Sequence, residues 1–284
     1  MKAQTYHAIG DLHGHLASAE LALSSLGYTN SDGVWRHAHA TALFVGDFAD
    51  RGPDPFGVYD LVAAMVAAGS AHAVIGNHDF SFAAIKTEKP GKPGRFLRSR
   101  SEKHLAQARS TLVQAERDPN RAGDIIAWIR RTPILIETPD FRLVHACPHT
   151  DALDRLSDTL TPLRTLGLDD HTFASLAAYE GLGDDRSLLL SGPEYDLPPG
   201  QSYVDADGHE RMQDRVRWWE DASYAGPAPT FFGHYALKDG PRVFAPSNSV
   251  CVDAGCGKGG PLAVYIHQTG AALSHDNFVF FPQL

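Results

Sequence analysis

The sequence predicts an α/β protein with helices outside a sheet, and three observations support this class. Short apolar runs alternate with longer segments of helical periodicity over residues 1–75. These helical segments begin at proline or end at glycine, as helices commonly do. Several apolar runs also stop abruptly at a polar group, which is typical of sites built at the carboxyl ends of strands.

The first part of the chain has the order βαβαβ. Apolar runs predict three strands, over 5–9, 41–45 and 71–75. The spacing of four leucines predicts a helix over 15–27, and a proline start and a glycine end predict a second helix over 55–69. The first ends at Gly27 and the second begins at Pro55. This order favours a sheet with helices packed outside it.

Residues 86–131 differ in character from the segments before them. A Pro-, Gly- and Lys-rich loop over 86–95 precedes two predicted helices, over 101–117 and 123–131. A pair of strands is predicted next, over 133–137 and 141–146.

Residues 150–228 contain much Pro, Gly and Asp, with a helix predicted over 169–183 and a loop over 191–210. Long irregular segments in a compact domain are usually functional or mobile. The remaining apolar runs predict four strands, over 229–234, 248–254, 261–267 and 277–281.

The composition predicts a soluble globular protein. No apolar run approaches the roughly 20 residues that a membrane helix needs. The N-terminal segment has no signal-peptide core, and three cysteines suggest no disulfide framework, so we expect a cytoplasmic protein. The net charge of -9, without a dense basic run, argues against a long nucleic acid as partner. A small phosphorylated substrate remains compatible, since local cations and metals can outweigh the net charge.

Residues that can bind metal or phosphate follow five predicted strands. They occur in GDLHGH, GDFADRG, GNHD, VHAC and FGHY, which supply Asp11, His13, Asp47, Asp50, Arg51, Asn77, His78, His145 and His234. Oxygen and imidazole donors without thiolate suit manganese, iron or zinc. Each motif alone is weak, because a lone GDxH can be a capped turn. Their joint occurrence predicts a metal site.

In this order the motifs resemble those of the phosphoprotein phosphatase (PPP) family of calcineurin-like metallophosphoesterases, of bacterial type. That family has GDxHG, GDxxDRG and GNH[DE], then a lone His and a GH, and here the set runs from Gly10 to His234. The resemblance implies one domain over 1–284, with a two-sheet β-sandwich flanked by helices (α/β/β/α). Residues 86–131 and 150–228 are then expected to be insertions that rim the pocket.

The resemblance also implies a site for two divalent metal ions, with manganese expected and iron or zinc as alternatives. Asp11 and His13 are expected to bind the first ion, and Asp47 to bridge both. The second ion is completed by three further ligands, Asn77, His145 and His234. Two such ions can clamp a phosphoryl group and acidify a water, so a metal-bridging hydroxide is the expected nucleophile.

The resemblance further assigns roles to residues around the phosphate. Arg51 is expected to clamp phosphate, because guanidinium matches phosphate oxygens in bidentate fashion, and Asn77 to contact the substrate. His78 is expected to be the general acid on the leaving oxygen, kept protonated by a hydrogen bond to Asp50.

The family uses a second phosphate-binding arginine upstream of the last His. Three residues qualify by position, and Arg215 and Arg217 are favoured over Arg211. The alternative is that these side chains stack on tryptophan or pair with neighbouring carboxylates, for which the residues at hand are Trp218, Trp219, Asp214 and Glu220.

The resemblance predicts metal-dependent hydrolysis of a phosphoester by an enzyme similar to Ser/Thr protein phosphatases. The alternative substrate is a nucleotide, a dinucleoside polyphosphate such as diadenosine tetraphosphate, since family members act on both classes. A base-stacking platform of Trp218, Trp219 and Tyr224 would favour that alternative, although a tryptophan pair is more often core. A non-catalytic metal-binding scaffold is least favoured, because Asp50, Arg51 and His78 are intact. The oligomeric state does not follow from the sequence.

Two aspartates near the motifs have simpler interpretations. Asp79 stands where protein phosphatases of eukaryotic type usually have Glu. Asp253 either supports the metal ligands indirectly or caps a turn. Residues 150–228 do not resemble eukaryotic protein phosphatases, so the substrate is the least determined feature.

Overall fold

The computed structural model describes residues 4–89, 91–155, 173, 183–204 and 210–284. Two five-stranded sheets form its centre. The strands of the first sheet, in spatial order, are β18 (Phe278–Phe281), β17 (Leu262–Gln268), β1 (Thr5–Ile9), β4 (Ala40–Phe44) and β5 (Ala71–Ala73). Strands β1, β4 and β5 are parallel, whereas β17 and β18 run antiparallel to their neighbours.

The second sheet also has five strands, with its three parallel strands in the centre. Its strands, in spatial order, are β15 (Arg242–Phe244), β16 (Ser249–Cys251), β14 (Thr230–Phe232), β9 (Arg142–Val144) and β8 (Leu135–Glu137). Strands β9, β14 and β16 are parallel, and the two edge strands are antiparallel. Each sheet therefore presents the carboxyl ends of three parallel strands at one edge.

The two sheets pack face to face around a shared apolar core. Phe231 of β14 lies against Tyr265 of β17, with ring centroids 5.9 Å apart. In β4, Leu43 joins this core between the sheets, whereas Phe44 joins the core beneath the helices. Burial on both faces explains the continuous apolar run of this strand. The predicted two-sheet sandwich flanked by helices is confirmed.

Eight α-helices occur among the described residues. They are α1 (Leu16–Ser25), α2 (Pro55–Ala67), α3 (Asn77–Lys86), α4 (Glu102–Gln107), α5 (Arg109–Arg117), α6 (Pro119–Ile129), α7 (Thr150–Arg155) and α8 (Gly183–Leu190). Proline begins α2, and the side chain of Asp54 accepts the N–H of Gly57 at 2.9 Å as its N-terminal cap. Within these residues, no helix has the length and apolar character needed to cross a membrane.

Small hairpins and turns complete the fold. The further strands are β2 (Thr29–Ser31), β3 (Val34–Arg36), β6 (Glu88–Lys89), β7 (Lys92–Phe96), β10 (Glu194–Asp196), β11 (Tyr203–Val204), β12 (Glu210–Arg211) and β13 (Gln213–Arg215). Short 3-10 turns are formed by Trp218–Glu220, Ala222–Tyr224, Cys256–Lys258 and His275–Asn277.

Most predicted elements occur, with several differences. The loop predicted over 191–210 contains strands β10 and β11. Helix α3 begins directly at the GNHD motif and was not predicted, because its polar start masks the apolar face that follows. The helix predicted over 101–117 is two helices, α4 and α5, which meet at the buried Ala108. The loop predicted over 86–95 contains most of the β6–β7 hairpin. The helix predicted over 169–183 lies outside the described residues except for its last residue and Phe173.

Candidate active site

The candidate metal ligands converge where the carboxyl ends of the three parallel strands of each sheet meet. Three strands of the first sheet lead into the loops or helix that carry Asp11 and His13, Asp47, and Asn77. Three strands of the second sheet lead to His145, His234 and Asp253. The two sheets thus bring together residues that are more than 240 positions apart in the sequence, as Asp11 and Asp253 are.

Asp47 lies between two groups of ligand atoms. One group joins it to His13 and His78, and the other to His145 and His234, with all ligand atoms in each group within 4.8 Å. Its Oδ2 is 3.5 Å from the Nε2 atoms of both His13 and His145. This shared position is the one expected of a bridging carboxylate.

Asn77 and Asp11 complete the ring of donors. The Oδ1 of Asn77 lies 3.0 Å from His234 Nδ1 and 3.2 Å from His145 Nε2. Asp11 belongs to neither group of three, and its carboxylate accepts the backbone N–H of His234, at 3.1 Å and 3.3 Å for its two oxygens.

Backbone carbonyls set the tautomers of two histidines. His13 Nδ1 lies 2.9 Å from the carbonyl of Ala49, and His145 Nδ1 lies 2.8 Å from that of Val45. Because a carbonyl only accepts, each Nδ1 carries the proton and each Nε2 keeps a lone pair directed at the site. This arrangement is usual for histidines that bind metal.

The site contains buried carboxylates whose negative charge must be balanced by positive charge. Asp11, Asp47 and Asp253 are each at most 4% exposed. Burial, together with the charge of Asp253, raises the pKa of Asp11 well above its usual range. Buried charges are costly unless they are paired or bind a cation. The oxygen and nitrogen donors therefore fit divalent cations such as manganese, iron or zinc.

The backbone of the site is strained. Positive φ angles occur at His13, Asp47, Asp50, Arg51 and His234, with values from 41° to 70°. Such angles are uncommon outside glycine, and strain of this kind concentrates at functional sites. Glycine is needed at position 76, because a Cβ there would collide with the carboxylate of Asp47.

His78 is held by a hydrogen-bonded relay. Its Nδ1 lies 2.7 Å from Asp50 Oδ2, and the other carboxylate oxygen of Asp50 accepts the hydroxyl of Thr111 at 2.6 Å. Thr111 in turn accepts the backbone N–H of Asp50 at 2.8 Å. Burial lowers the pKa of His78, but the charge of Asp47 and the contact with Asp50 outweigh it and raise the pKa above its usual value.

Asp79 organises the loop that carries Asp47. Its fully buried carboxylate accepts the backbone N–H groups of Asp47, Phe48, Ala49 and Gly76 at 2.8–3.0 Å, and the hydroxyl of Tyr59 at 2.6 Å. Backbone groups of a tight loop need such acceptors, because buried N–H groups are costly when unpaired. Asp79 therefore positions the loop between β4 and α2.

Arg51 faces the middle of the site. One guanidinium nitrogen lies 3.0 Å from His13 Nε2 and another 3.4 Å from His78 Nε2. The side chain is exposed, so its remaining N–H groups are open to a ligand.

The three other candidate arginines line the same groove as Arg51 and the candidate metal ligands, but their surroundings differ. Arg215 lies over the ring of Tyr235 at 5.0 Å, and its charge contributes, after burial, to the lowered pKa of His234. Arg217 is paired with Glu220 at 3.4 Å, with 72% of its side chain exposed. Arg211 is paired with Glu194 at 2.7 Å. Of the three arginines, Arg215 is thus the one whose charge acts on a candidate metal ligand.

The tryptophan pair belongs to the core. Trp218 and Trp219 are 0% and 4% exposed and pack on Phe232, with ring centroids 4.7 Å and 5.9 Å away. Tyr224 packs on Trp218. These residues offer no stacking platform, which agrees with the simpler expectation for a Trp pair. The exposed aromatic ring at the groove is Tyr203.

Sequence patterns did not reveal the supporting residues. Thr111, Tyr59 and Asp79 act through contacts made across the fold, and neither Thr111 nor Tyr59 lies in a motif. Asp79 could have been recognised as a helix cap, because it stands three residues after Gly76 at a helix start. Asp253 accepts the N–H groups of Ala236 and Gly255, at 2.6 Å and 2.8 Å, which fits the turn-capping role; its support of the metal ligands stays a prediction.

Comparisons with known proteins agree with this geometry. The family model for calcineurin-like phosphoesterase matches residues 5–256. A symmetrical bis(5'-nucleosyl)-tetraphosphatase of Ralstonia nicotianae is 32% identical over 142 residues, which are 49% of this chain and 41% of that protein. One from Pectobacterium atrosepticum is 25% identical over 279 residues, 91% of this chain and 90% of that protein.

A solved structure shares the fold. The protein serine/threonine phosphatase of Saccharomyces cerevisiae is 13% identical, with a TM-score of 0.54, over 99% of this chain and 80% of that one. Among the relatives compared by sequence, the chain spans less than half of the Ralstonia protein but nearly all of the Pectobacterium protein.

Proposed function

The chain belongs to the calcineurin-like phosphoesterase family, in its bacterial phosphoprotein-phosphatase type, and from this membership we propose that it is a metal-dependent phosphoester hydrolase. The observation that carries the proposal is the position of Asp47 between two groups of metal-ligand atoms, beside the His78–Asp50 pair. Neither a metal site nor an acid alone would indicate hydrolysis, but their combination supports it.

Six residues are proposed to hold two divalent metal ions. They are Asp11, His13, Asp47, Asn77, His145 and His234. Bound ions of this kind supply Lewis acidity and lower the pKa of water so that it can attack phosphorus. We propose manganese, with iron or zinc as alternatives, because the donors are oxygen and imidazole nitrogen.

The protein's own side chains complete the reaction. His78 donates a proton to the leaving oxygen, and Asp50 keeps His78 protonated and correctly oriented. Arg51 binds the phosphoryl oxygens together with Asn77 and Arg215, which line the same groove. Of the two arginines favoured from the sequence, Arg215 is proposed as the second phosphate ligand, because Arg217 is engaged with Glu220.

Two substrate classes are proposed for this site. The likeness in fold to a serine/threonine phosphatase supports a phosphoprotein. The names of the bacterial relatives support a dinucleoside tetraphosphate. We place the protein in the cytoplasm, a proposal that its three free, buried cysteines support.

Parallel assays test the proposal. The protein, loaded with Mn²⁺, is given 4-nitrophenyl phosphate, a phosphopeptide and diadenosine tetraphosphate, with a chelator-treated sample as control. We expect turnover that the chelator abolishes and Mn²⁺ restores. Absence of turnover with all three substrates would refute hydrolysis. Release of nucleotide without phosphopeptide cleavage would select the dinucleotide class.

A further inference from the structure

A second groove adjoins the metal-ligand groove. The first has a cavity volume of ≈ 950 Å³ and is lined by Asp11, Asp47, Asn77 and His234 among others. The second has a cavity volume of ≈ 980 Å³ and lies along α4, α5 and the loop at Pro53. In the part of the chain that the structure describes, none of the proposed metal ligands lines this second groove.

The two grooves share four lining residues, one of which is the proposed general acid. Arg51, His78, Lys103 and Gln107 line both of them. In hydrolysis the bond between phosphorus and the leaving oxygen breaks, water supplies the new oxygen on phosphorus, and the leaving oxygen gains a proton. Since His78 is proposed to give that proton, the leaving group must lie next to it. The second groove extends from His78 away from the metal ligands and can receive that group.

The second groove is positively charged in a protein of net charge -9. Four cationic side chains, those of Arg51, Lys103, Arg109 and Arg117, line it together with a single carboxylate, that of Glu102. Lys103, Arg109 and Arg117 form no ion pair with any described residue, so their charge is available to a ligand. A cationic groove raises the local concentration of anions and favours phosphate over neutral groups.

The groove also has apolar residues in its wall. Pro53, Ala106 and Val113 line it together with the cations, and Val113 is 37% exposed. Sites for small ligands commonly have volumes of roughly 300–1,000 Å³ and combine apolar walls with a few polar anchors. A peptide side chain as leaving group would need neither this volume nor three further cations.

We propose that this groove is the leaving-group subsite and that Lys103, Arg109 and Arg117 select leaving groups that carry phosphate, as nucleotides do. The inference rests on the proposed phosphoester hydrolysis and assigns its second binding site. The phosphates of the leaving nucleotide would lie along the three cations, and its base against Pro53 and Val113.

The test compares substrates that differ in the leaving group. The ratio of kcat/KM for diadenosine tetraphosphate to kcat/KM for 4-nitrophenyl phosphate is measured for the wild type, Lys103→Ala and Arg109→Ala. Each lost contact with phosphate should lower this ratio by roughly tenfold or more. Lys92→Ala, which removes the same charge from the exposed β7, is the matched control and should leave the ratio within about twofold of wild type.

Binding of ADP gives a readout that does not depend on turnover. Isothermal titration calorimetry should show ADP binding that Lys103→Ala/Arg109→Ala weakens at least tenfold and Lys92→Ala does not. Hydrolysis of 4-nitrophenyl phosphate with an unchanged ratio in both groove variants would overturn the subsite but not the hydrolase. An equal fall in Lys92→Ala would also overturn it. ADP binding that depends on the groove, without turnover of any substrate, would refute the hydrolase alone.

Discussion

Replacing Thr111 by Val tests whether the segment after α3 contributes to catalysis. Thr111 is fully buried on α5, and its hydroxyl both donates to the Asp50 carboxylate at 2.6 Å and accepts the Asp50 N–H at 2.8 Å. Valine has nearly the same shape, so the substitution removes these two hydrogen bonds with little change in packing. Asp50 then keeps its contact with His78 but loses the partner that orients it.

The expected magnitudes follow from these contacts. A lost hydrogen bond to a charged group costs about 1.5–3 kcal/mol, and an unpaired buried N–H about 1–3 kcal/mol. With partial relaxation, we expect a loss of about 3 kcal/mol in the free energy of unfolding, or about 6–12 °C in Tm for a chain of this size. A misaligned Asp50 should slow turnover of poor leaving groups about tenfold, a part of the 10²–10⁴-fold effect of a general acid.

The assay distinguishes a loss of general-acid catalysis from a loss of folded protein. The kcat values for phenyl phosphate and 4-nitrophenyl phosphate are compared at a temperature where all variants are folded. Phenolate needs the proton more than nitrophenolate does, so Thr111→Val should slow phenyl phosphate selectively. Thr132→Val is the matched control, since among the described residues that buried hydroxyl bonds only to the Trp128 carbonyl. Equal slowing of both substrates, or the same selectivity in the control, would refute the relay.

Three further predictions concern metal retention, loop positioning and acid stability. Asp47→Asn should lose bound metal in elemental analysis, whereas His78→Asn should retain it and lose most turnover of phenyl phosphate; the reverse pattern contradicts both roles. Asp79→Asn should lower the free energy of unfolding in urea by about 3 kcal/mol or more, because its new NH₂ group faces N–H donors. Tyr59→Phe removes one of the five hydrogen bonds to Asp79 and should lower the free energy of unfolding by about 1–2 kcal/mol. Burial, and to a lesser degree the charge of a neighbouring histidine, lowers the pKa of His7 to about 4, so the stability that depends on neutral His7 is full above pH 6.5 and is lost toward pH 4. Thermal unfolding is therefore compared at pH 7 and pH 5. On acidification, the free energy of unfolding should fall by up to about 2 kcal/mol less in His7→Phe than in the wild type.

The sequence indicated the sandwich strands because both faces of the central strands are buried. A strand such as β4, covered on both sides, leaves a continuous apolar run that ends where the chain reaches the sheet edge. The proposed ligands follow such runs directly, so their local pattern and order were sufficient to predict that they would meet. Helix α3 was missed because its first turn is devoted to the site and carries polar residues.

The amino-acid sequence by itself determined the class of fold, the strand ends that carry the site, and the motif residues gathered there, since all of these depend on short-range patterns. Only the tertiary structure decided which residues support them. Thr111 reaches Asp50 across 61 positions, and Arg215 differs from Arg217 only through its neighbours. The groove along α4 and α5 likewise exists only because these helices pack beside His78. Such contacts join segments distant in sequence, and no local periodicity encodes them.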